Sequence, residues 1–130
     1  MTRRNLIAVL ATTPAVRAQN KAARPKYEVQ LLRVSAHVED SRINIDGRVR
    51  NSAAKPIENL RVIFELLDPS GQVLTKQQGP IEESLLDVGE EGSFHVQLAW
   101  HARTHAFRIG FEDGSGRELR ADKPGPFPID

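Results

Sequence analysis

The sequence predicts an all-β protein, and three observations carry that prediction. Apolar and polar residues alternate with a period of two from Arg42 to Arg50, which is typical of a strand with one buried and one solvated face. Further short alternating segments follow, and turns containing Gly or Pro separate them. No segment after residue 18 has the 3.6-residue apolar period of a helix. Together these features indicate an immunoglobulin-like antiparallel β-sandwich of about seven to eight strands, preceded by a signal peptide.

The signal peptide is predicted at residues 1–18. Thr2-Arg3-Arg4 is basic, Leu6 to Ala11 is apolar, and Val16-Arg17-Ala18 presents small residues where a signal peptidase cleaves. The paired arginines are similar to a twin-arginine export signal, which leaves the export route open between the general secretory and twin-arginine systems. We therefore expect a periplasmic or secreted bacterial protein.

Charge and composition exclude several classes of function. The chain has 18 Lys and Arg against 17 Asp and Glu, and three of the arginines lie in residues 1–18. Without that segment the formal charge is −2, from 15 basic and 17 acidic groups. Nucleic-acid binding needs clustered basic residues, so we expect none. The chain has no cysteine and no run of the roughly 20 apolar residues that a membrane span requires.

The first half of the domain follows a polar linker at residues 19–26. Between Tyr27 and Val38 the apolar parity changes at Leu31-Leu32, which indicates either one strand with a bulge or two short strands. A loop from Asn51 to Glu58 then separates two strands with clear inward faces. The inward residues are Ile43, Ile45, Gly47 and Val49 in the first strand and Leu60, Val62, Phe64 and Leu66 in the second.

The second half begins at a type I turn, Asp68-Pro69-Ser70-Gly71. Further strands are predicted at Gln72–Gln78, Phe94–Trp100 and Phe107–Phe111, with a short edge strand at Arg117–Arg120. We expect Gly79-Pro80 to break the chain between strands. The predicted domain spans residues 27–121. Residues 122–130 are a Pro-rich tail, and their prolines are expected to keep it out of a hydrogen-bonded ladder.

Several of these residues resemble the FxLYD domain family. Phe64-Glu65-Leu66-Leu67-Asp68 is similar to its name-giving motif, with Leu67 where the family usually has Tyr. Gly47, Val49 and Asn51 match a Gly-x-Val-x-Asn element of the family, and Asp68 and Gly71 match its turn. Leu86 to Glu90 and Phe94 match a Leu-x-Pro-Gly-Glu and Phe element, in which Val88 replaces Pro. The resemblance covers about Leu32 to Phe111. It implies an immunoglobulin-like module outside the cytoplasm, structural roles for these positions and no enzymatic activity.

The histidines offer a metal-binding or enzymatic alternative. His101 and His105 are four residues apart, a spacing that on a helix would place both on one face, and His95 could complete a site. The predicted loop between two strands does not impose helical geometry on them, so we expect exposed loop histidines and neither a metal nor another cofactor. No nucleophile motif is present, and the acidic pairs Glu82-Glu83 and Glu90-Glu91 point to opposite faces if they lie on strands.

A binding surface is the favoured interpretation. If the strands that carry them pair, Arg48 and Arg50 lie beside the outward apolar residues Ile63 and Leu67, and the four form a partner face. Two alternatives stay open: the linker or the tail covers Ile63 and Leu67, or a peptide pairs with an edge strand. We therefore expect a non-catalytic module for protein binding or scaffolding in the bacterial envelope, with an assembly factor as a narrower option.

Overall fold

The computed structural model describes residues 26–130, and that part of the chain contains ten strands and no helix. The strands are β1 (Val29–Glu39), β2 (Arg42–Asn51), β3 (Ile57–Glu58), β4 (Arg61–Leu67), β5 (Val73–Pro80), β6 (Leu85–Leu86), β7 (Glu91–Ala99), β8 (Ala106–Glu112), β9 (Glu118–Leu119) and β10 (Phe127–Pro128). The predicted signal peptide and linker residues 19–25 lie outside the described residues. Across residues 26–130, no helix has the length and apolar character needed to cross a membrane.

Two antiparallel sheets make up the fold. The larger sheet has the order β9–β8–β4–β5, and β10 also pairs with β8. The smaller sheet has the order β1–β2–β7, and β3 and β6 form a separate two-stranded ribbon. Six strands of 7 to 11 residues supply most of the pairing. The prediction of an all-β antiparallel sandwich is confirmed.

The core lies between the two sheets and follows the predicted alternation. The inward apolar residues of β2 and β4 are all buried, namely Ile43, Ile45, Val49, Val62, Phe64 and Leu66. Phe64 packs against Phe94 of the opposite sheet and Phe107 of the neighbouring strand, with ring centroids 5.9 and 6.1 Å apart. Phe107 in turn packs against Phe127 at 5.5 Å. Each such pair adds about 0.5–1.5 kcal/mol beyond its buried area, so this row of rings ties both sheets to the C-terminal segment.

The parity change near the start of the domain is a bulge within one strand. The pairing of β1 with β2 shifts register between Leu31 and Arg33, and the strand then continues to Glu39. A bulge places two residues opposite one on the partner strand, which moves every later side chain to the other face. Of the two predicted alternatives, the single bulged strand is confirmed.

The turn after β4 has the predicted geometry. The Gly71 N–H donates to the Asp68 carbonyl at 2.9 Å, and Gly71 has φ +89°, a conformation that favours glycine. The buried Asp68 carboxylate accepts hydrogen bonds from the Ser70 hydroxyl, the Ser70 N–H and the Gln72 N–H at 2.7, 2.9 and 3.0 Å. Arg103 of the β7–β8 loop adds an ion pair at 3.0 Å. The Ser70 hydroxyl is the main cause that lowers the Asp68 pKa below its usual value of 3.8.

Replacing Asp68 by asparagine is expected to make the free energy of unfolding less dependent on pH in the acid range. Because the folded-state pKa lies below 3.8, the carboxylate stabilises the fold above that pH, and this contribution is lost as the pH falls through the folded-state pKa. Urea unfolding between about pH 5 and pH 2 should give a smaller slope of unfolding free energy against pH for Asp68→Asn than for the wild type. Asp40→Asn is the control, since Asp40 is exposed in a loop. Equal slopes in Asp68→Asn and the wild type would contradict this assignment.

Pro80 ends β5 and does not break the chain ahead of it, which corrects the predicted break at Gly79-Pro80. The Ile81 N–H donates to the Leu60 carbonyl, so alternate residues of β5 face β4 while Gln78 and Pro80 face the free edge. A proline at an outward position removes no ladder bond. The missing donor also discourages pairing with another chain along this edge.

The Pro-rich C-terminal segment joins the fold, which corrects the expectation that its prolines keep it out of a ladder. Phe127–Pro128 pairs with β8, and the Pro124 carbonyl accepts from the Ile109 N–H at 2.9 Å. The Asp130 N–H and carbonyl then bond to Ala36 and Val38 of β1, each at 3.1 Å. Prolines lack a donor but keep their carbonyl acceptors, so Pro124 accepts a hydrogen bond, while Asp130 supplies both an N–H donor and a carbonyl acceptor. The segment therefore connects the two sheets along one side of the sandwich.

Candidate functional site

The four residues of the predicted partner face do not lie together, which corrects that prediction. Arg48 and Arg50 lie on the outer face of the smaller sheet, because β2 pairs with β1 and β7. Ile63 lies on the outer face of the larger sheet, because β4 pairs with β5 and β8. The strands whose pairing the prediction assumed therefore belong to different sheets, and the two groups occupy opposite surfaces.

Leu67 is not available as a surface residue. Only 4% of it is exposed, and a register shift between Leu66 and Leu67 marks the end of β4. The β7–β8 loop closes over this end of the strand, where the His105 N–H donates to the Leu67 carbonyl at 2.7 Å. Ile63 is half-buried, so it is the apolar residue of the pair that solvent reaches.

Ile63 forms the centre of an open groove across the outer face of the larger sheet. Cross-strand pairing places Gln78 of β5 and Gly110 of β8 on either side of it. A Cβ added at Gly110 would meet no atom within 4 Å, so the missing side chain leaves open space beside Ile63. The groove has a volume of about 720 Å³ and extends to Pro124 of the C-terminal segment. We call this row of Gln78, Ile63, Gly110 and Pro124 the Ile63 furrow.

Two rows of charged residues flank the Ile63 furrow. One row consists of Lys76, Glu65 and Arg108, and the other of Arg61, Glu112 and Glu118, with the uncharged Pro80 at its β5 end. Ion pairs join the central members of each row, at 3.2 Å between Arg108 and Glu65 and at 2.9 Å between Arg61 and Glu112. The first row carries a formal charge of +1 and the second −1. The furrow therefore has an apolar centre at Ile63 and Gly110, and it lies between rows of opposite net charge.

The outer members of the rows are the groups a ligand can use. Lys76 and Glu118 are both exposed, and neither forms an ion pair within residues 26–130. The rows are four residues apart along β4, or about 14 Å at 3.4 Å per residue. Side chains fill part of that width, so the space suits one extended chain better than a helix about 10–12 Å across.

A second cleft of about 750 Å³ lies at one end of the sandwich. It lies between the loop before β3 and the β8–β9 turn, and its polar groups serve local structure. The Asp113 carboxylate accepts from the Ser115 hydroxyl and the Arg117 N–H, and Arg117 also pairs with Glu28 at 3.0 Å. The Ile63 furrow is the better candidate binding site, because the exposed side chains beside it, Lys76 and Glu118, lie on a rigid sheet and form no ion pair within the described residues.

The outer face of the smaller sheet is polar and internally paired. Glu91 forms ion pairs with Arg48 at 3.0 Å and Arg50 at 2.8 Å. The hydrogen bond from Arg50, followed by that from Arg48, lowers the pKa of Glu91 below its usual value. His95 pairs with Asp46, and this hydrogen bond raises the His95 pKa. The arginines predicted for a partner face therefore already have a carboxylate partner.

The three candidate metal-binding histidines lie in different settings. His95 is on the exposed face of β7, about 14 Å from Ala99 at the end of that strand. His101 and His105 lie beyond that end, in the β7–β8 loop, where the His101 Nδ1 accepts from the Arg103 N–H at 3.2 Å. Within residues 26–130 there is no group of three His, Cys, Asp or Glu side chains placed to hold a metal.

The sequence analysis did not identify Gly110, Lys76 or Glu118 as candidate site residues. The alternation of Phe107, Ile109 and Phe111 already places residue 110 on the outer face, but an outward glycine gives no sign of a groove. The furrow exists only because β4 pairs with β8 in the register that sets Ile63 opposite Gly110.

No protein-family model and no curated protein matches this chain. Among solved structures it is similar to IrmA from Escherichia coli, at 10% identity and a TM-score of 0.45 over 78% of this chain and 95% of that one. It is also similar to the Pseudomonas fluorescens alkylpurine DNA glycosylase AlkC, at 14% identity and a TM-score of 0.46 over 95% of this chain and 36% of that one. A further similar structure is Bacteroides uniformis β-glucuronidase 2, at 19% identity and a TM-score of 0.42 over 70% of this chain and 12% of that one. The chain thus spans about an eighth of the glucuronidase and a third of the glycosylase. Similarity at this level supports no inference about activity.

Proposed function

We propose that the protein is an exported, non-catalytic β-sandwich module that binds an extended segment of another protein in the bacterial envelope. The export signal predicted from residues 1–18 supports the compartment. The observation that carries the binding role is the Ile63 furrow, an apolar centre between two charged rows on a rigid sheet. The resemblance to FxLYD domains agrees with an exported module of this fold.

The chemistry of the furrow defines the kind of segment that fits it. An apolar side chain placed over Gly110 would contact Ile63 and replace water in the open space. An acidic group beside it can bind Lys76, and a basic group on the other side can bind Glu118. We therefore expect a segment with one apolar residue flanked by residues of opposite charge. Contacts to exposed charges set orientation and association rate more than affinity.

Replacing Gly110 by valine is expected to weaken partner binding while the fold is kept. The new side chain meets no atom at its Cβ, and valine suits a strand better than glycine. It occupies the space beside Ile63, so the affinity for the partner should fall roughly tenfold or more. The measurement is capture of the partner from periplasmic extract, followed by titration of the identified partner by calorimetry.

Ser35→Val is the matched control, since Ser35 lies exposed on the outer face of the smaller sheet. It adds an equal apolar surface away from the furrow and should leave capture unchanged. Unfolding in urea should differ by less than about 0.5 kcal/mol between Ser35→Val and the wild type. A partner that binds Gly110→Val as tightly as the wild type would show that the furrow is not the binding site.

A further inference from the structure

The bulge in β1 turns the side chain of Arg33 to the outer face of the smaller sheet. Leu31 is buried, and regular alternation from it would point the side chain of residue 33 into the core. The register shift between Leu31 and Arg33 inserts one extra residue, so Arg33 lies directly opposite Arg48 of β2. Both arginines are exposed on that face. The bulge therefore creates a pair of directly opposed arginines.

This pair of arginines does not stabilise the folded protein by itself. Residues directly opposite each other on neighbouring strands have Cβ atoms about 4.5–5.5 Å apart, and like charges at such positions repel. Among the described residues, the Arg33 side chain forms no ion pair and no hydrogen bond that would offset this repulsion. Folding alone therefore gives no reason for a cation at residue 33, whereas a bound anion would give one.

The acidic groups nearby leave the arginine pair with an excess of positive charge. Glu91 bonds both Arg48 and Arg50, so one carboxylate is shared by two guanidinium groups. Asp46, which follows Arg48 on this face, already pairs with a histidine of β7. Arg33, Arg48, Arg50 and Glu91 together carry a formal charge of +2. The described part of the chain carries −4, from 13 basic and 17 acidic groups, so this corner is a local cationic site on an acidic domain.

We propose that Arg33 and Arg48 together bind the phosphate group of a ligand on the outer face of the smaller sheet. Arg48 donates to Glu91 through its Nε and Nη2 atoms, at 3.3 and 3.0 Å, which leaves its Nη1 group to donate to a ligand. Arg33 has all five of its N–H donors available. Because the two residues are direct cross-strand neighbours, one anion between them can accept hydrogen bonds from both.

A phosphate group fits two adjacent guanidinium groups better than a carboxylate does. A carboxylate has two oxygens and one charge, which a single arginine satisfies through a bidentate pair of hydrogen bonds. A phosphate monoester has three acceptor oxygens and a charge of about −1.5 to −2 near pH 7, so it can bind both arginines at once. Binding also offsets the repulsion between Arg33 and Arg48. The phosphate group can belong to a soluble ester or to a lipid headgroup.

Titration of the full chain with inorganic phosphate, followed by NMR, tests the proposed site. The Arg33 Nε–H signal and the backbone amides of Arg33 and Arg48 should shift saturably with phosphate, but not with chloride at equal ionic strength. Arg33→Gln should weaken phosphate binding roughly tenfold, because it removes the unpaired guanidinium group. Glu91→Gln should strengthen it several-fold, because it releases the Arg48 donors. Arg42→Gln, on the same face of β2, is the matched control and should leave binding unchanged.

Co-sedimentation with phosphatidylcholine vesicles, with and without phosphatidic acid, distinguishes the two sources of the phosphate group. Binding to phosphatidic acid that is lost in Arg33→Gln would identify a lipid headgroup, and phosphate binding without vesicle binding would identify a soluble ligand. Either result supports the site, and neither depends on the Ile63 furrow, which lies on the other sheet.

Urea unfolding without phosphate separates a binding role of Arg33 from a structural one. Arg33→Gln should unfold at the same or a higher urea concentration than the wild type, since the repulsion between Arg33 and Arg48 is removed. A lower unfolding midpoint would show that Arg33 stabilises the fold and would overturn the proposal. Equal NMR shifts with phosphate and chloride, or phosphate binding that Arg33→Gln leaves unchanged, would also overturn it.

Discussion

Replacing Gly47 by alanine is expected to lower the free energy of unfolding by roughly 3 kcal/mol. A Cβ at this position would lie 2.2 and 2.5 Å from the Cζ and Cε2 atoms of Phe94 and 2.8 Å from the backbone oxygen of Arg33. The first two contacts require the buried Phe94 ring to move, and the third presses β2 against β1 of the same sheet. A close-packed core resists both displacements, so the strain lowers stability.

Urea denaturation at constant temperature measures this effect. Gly110→Ala is the matched control, because it also replaces a glycine within a strand but its Cβ would meet nothing within 4 Å. Its free energy of unfolding should equal or exceed that of the wild type. Combining Gly47→Ala with Phe94→Leu should cost at least about 1 kcal/mol less than the sum of the single changes, since the shorter side chain removes the clashing atoms. If the free-energy changes of Gly47→Ala and Phe94→Leu were additive, the Phe94 ring would not be the cause of the Gly47→Ala destabilisation.

Replacing Asn51 by aspartate is expected to cost about 3 kcal/mol at neutral pH. Asn51 is 1% exposed, and its side-chain NH₂ group donates to the carbonyls of Lys55 and Leu86, each at 2.9 Å. Its side-chain oxygen accepts from the Ala53 N–H at 2.8 Å. Aspartate has almost the same shape, but it would set a carboxylate oxygen against two carbonyl oxygens in a buried site.

The matched control for this change lies in the same strand. Asn44 is 5% exposed, but it lies on the polar outer face of the smaller sheet, and its side chain is not hydrogen-bonded within the described residues. Asn44→Asp should therefore cost less than Asn51→Asp by urea denaturation, because no side-chain hydrogen bond is lost at residue 44. The new carboxyl at residue 51 should have a raised pKa, so part of the Asn51→Asp defect should disappear as the pH falls through that value. Equal costs at the two positions would show that the Asn51 hydrogen bonds contribute little.

The local pattern of the sequence predicts the strands and their buried faces because a period of two is a property of single strands. The alternation through β2 and β4 gave the correct core positions, from Ile43 to Leu66. The turn at Asp68 was also predictable, since Asp, Pro and Gly have specific conformational roles in it. The alternation placed Gly47 on the inward face, but only the family resemblance marked Gly47 and Asn51 as special positions, and their packing gives each a structural reason.

The candidate site depended on which strands pair, and no local pattern specifies that. Ile63 and Arg48 are both outward residues of alternating strands, yet they lie on different sheets. The furrow also requires Gly110, which comes from a strand 47 positions later in the chain than Ile63. Burial of Leu67 depends in the same way on a loop that folds back from β7. The furrow and the burial of Leu67 both depend on contacts between residues far apart in the sequence. The spacing of apolar and polar residues along one sequence does not show which strands make those contacts.

Site-specific photo-crosslinking at Gln78 tests most directly whether the Ile63 furrow binds a partner. Gln78 is exposed and lies beside Ile63 on the outer face, so a photoreactive residue there would contact a chain lying in the furrow. We expect a crosslinked partner from the bacterial envelope, lost when Gly110→Val is added and absent when the photoreactive residue is placed at Ser35. A crosslink that persists with Gly110→Val, or no crosslink at Gln78, would contradict the binding role of the furrow.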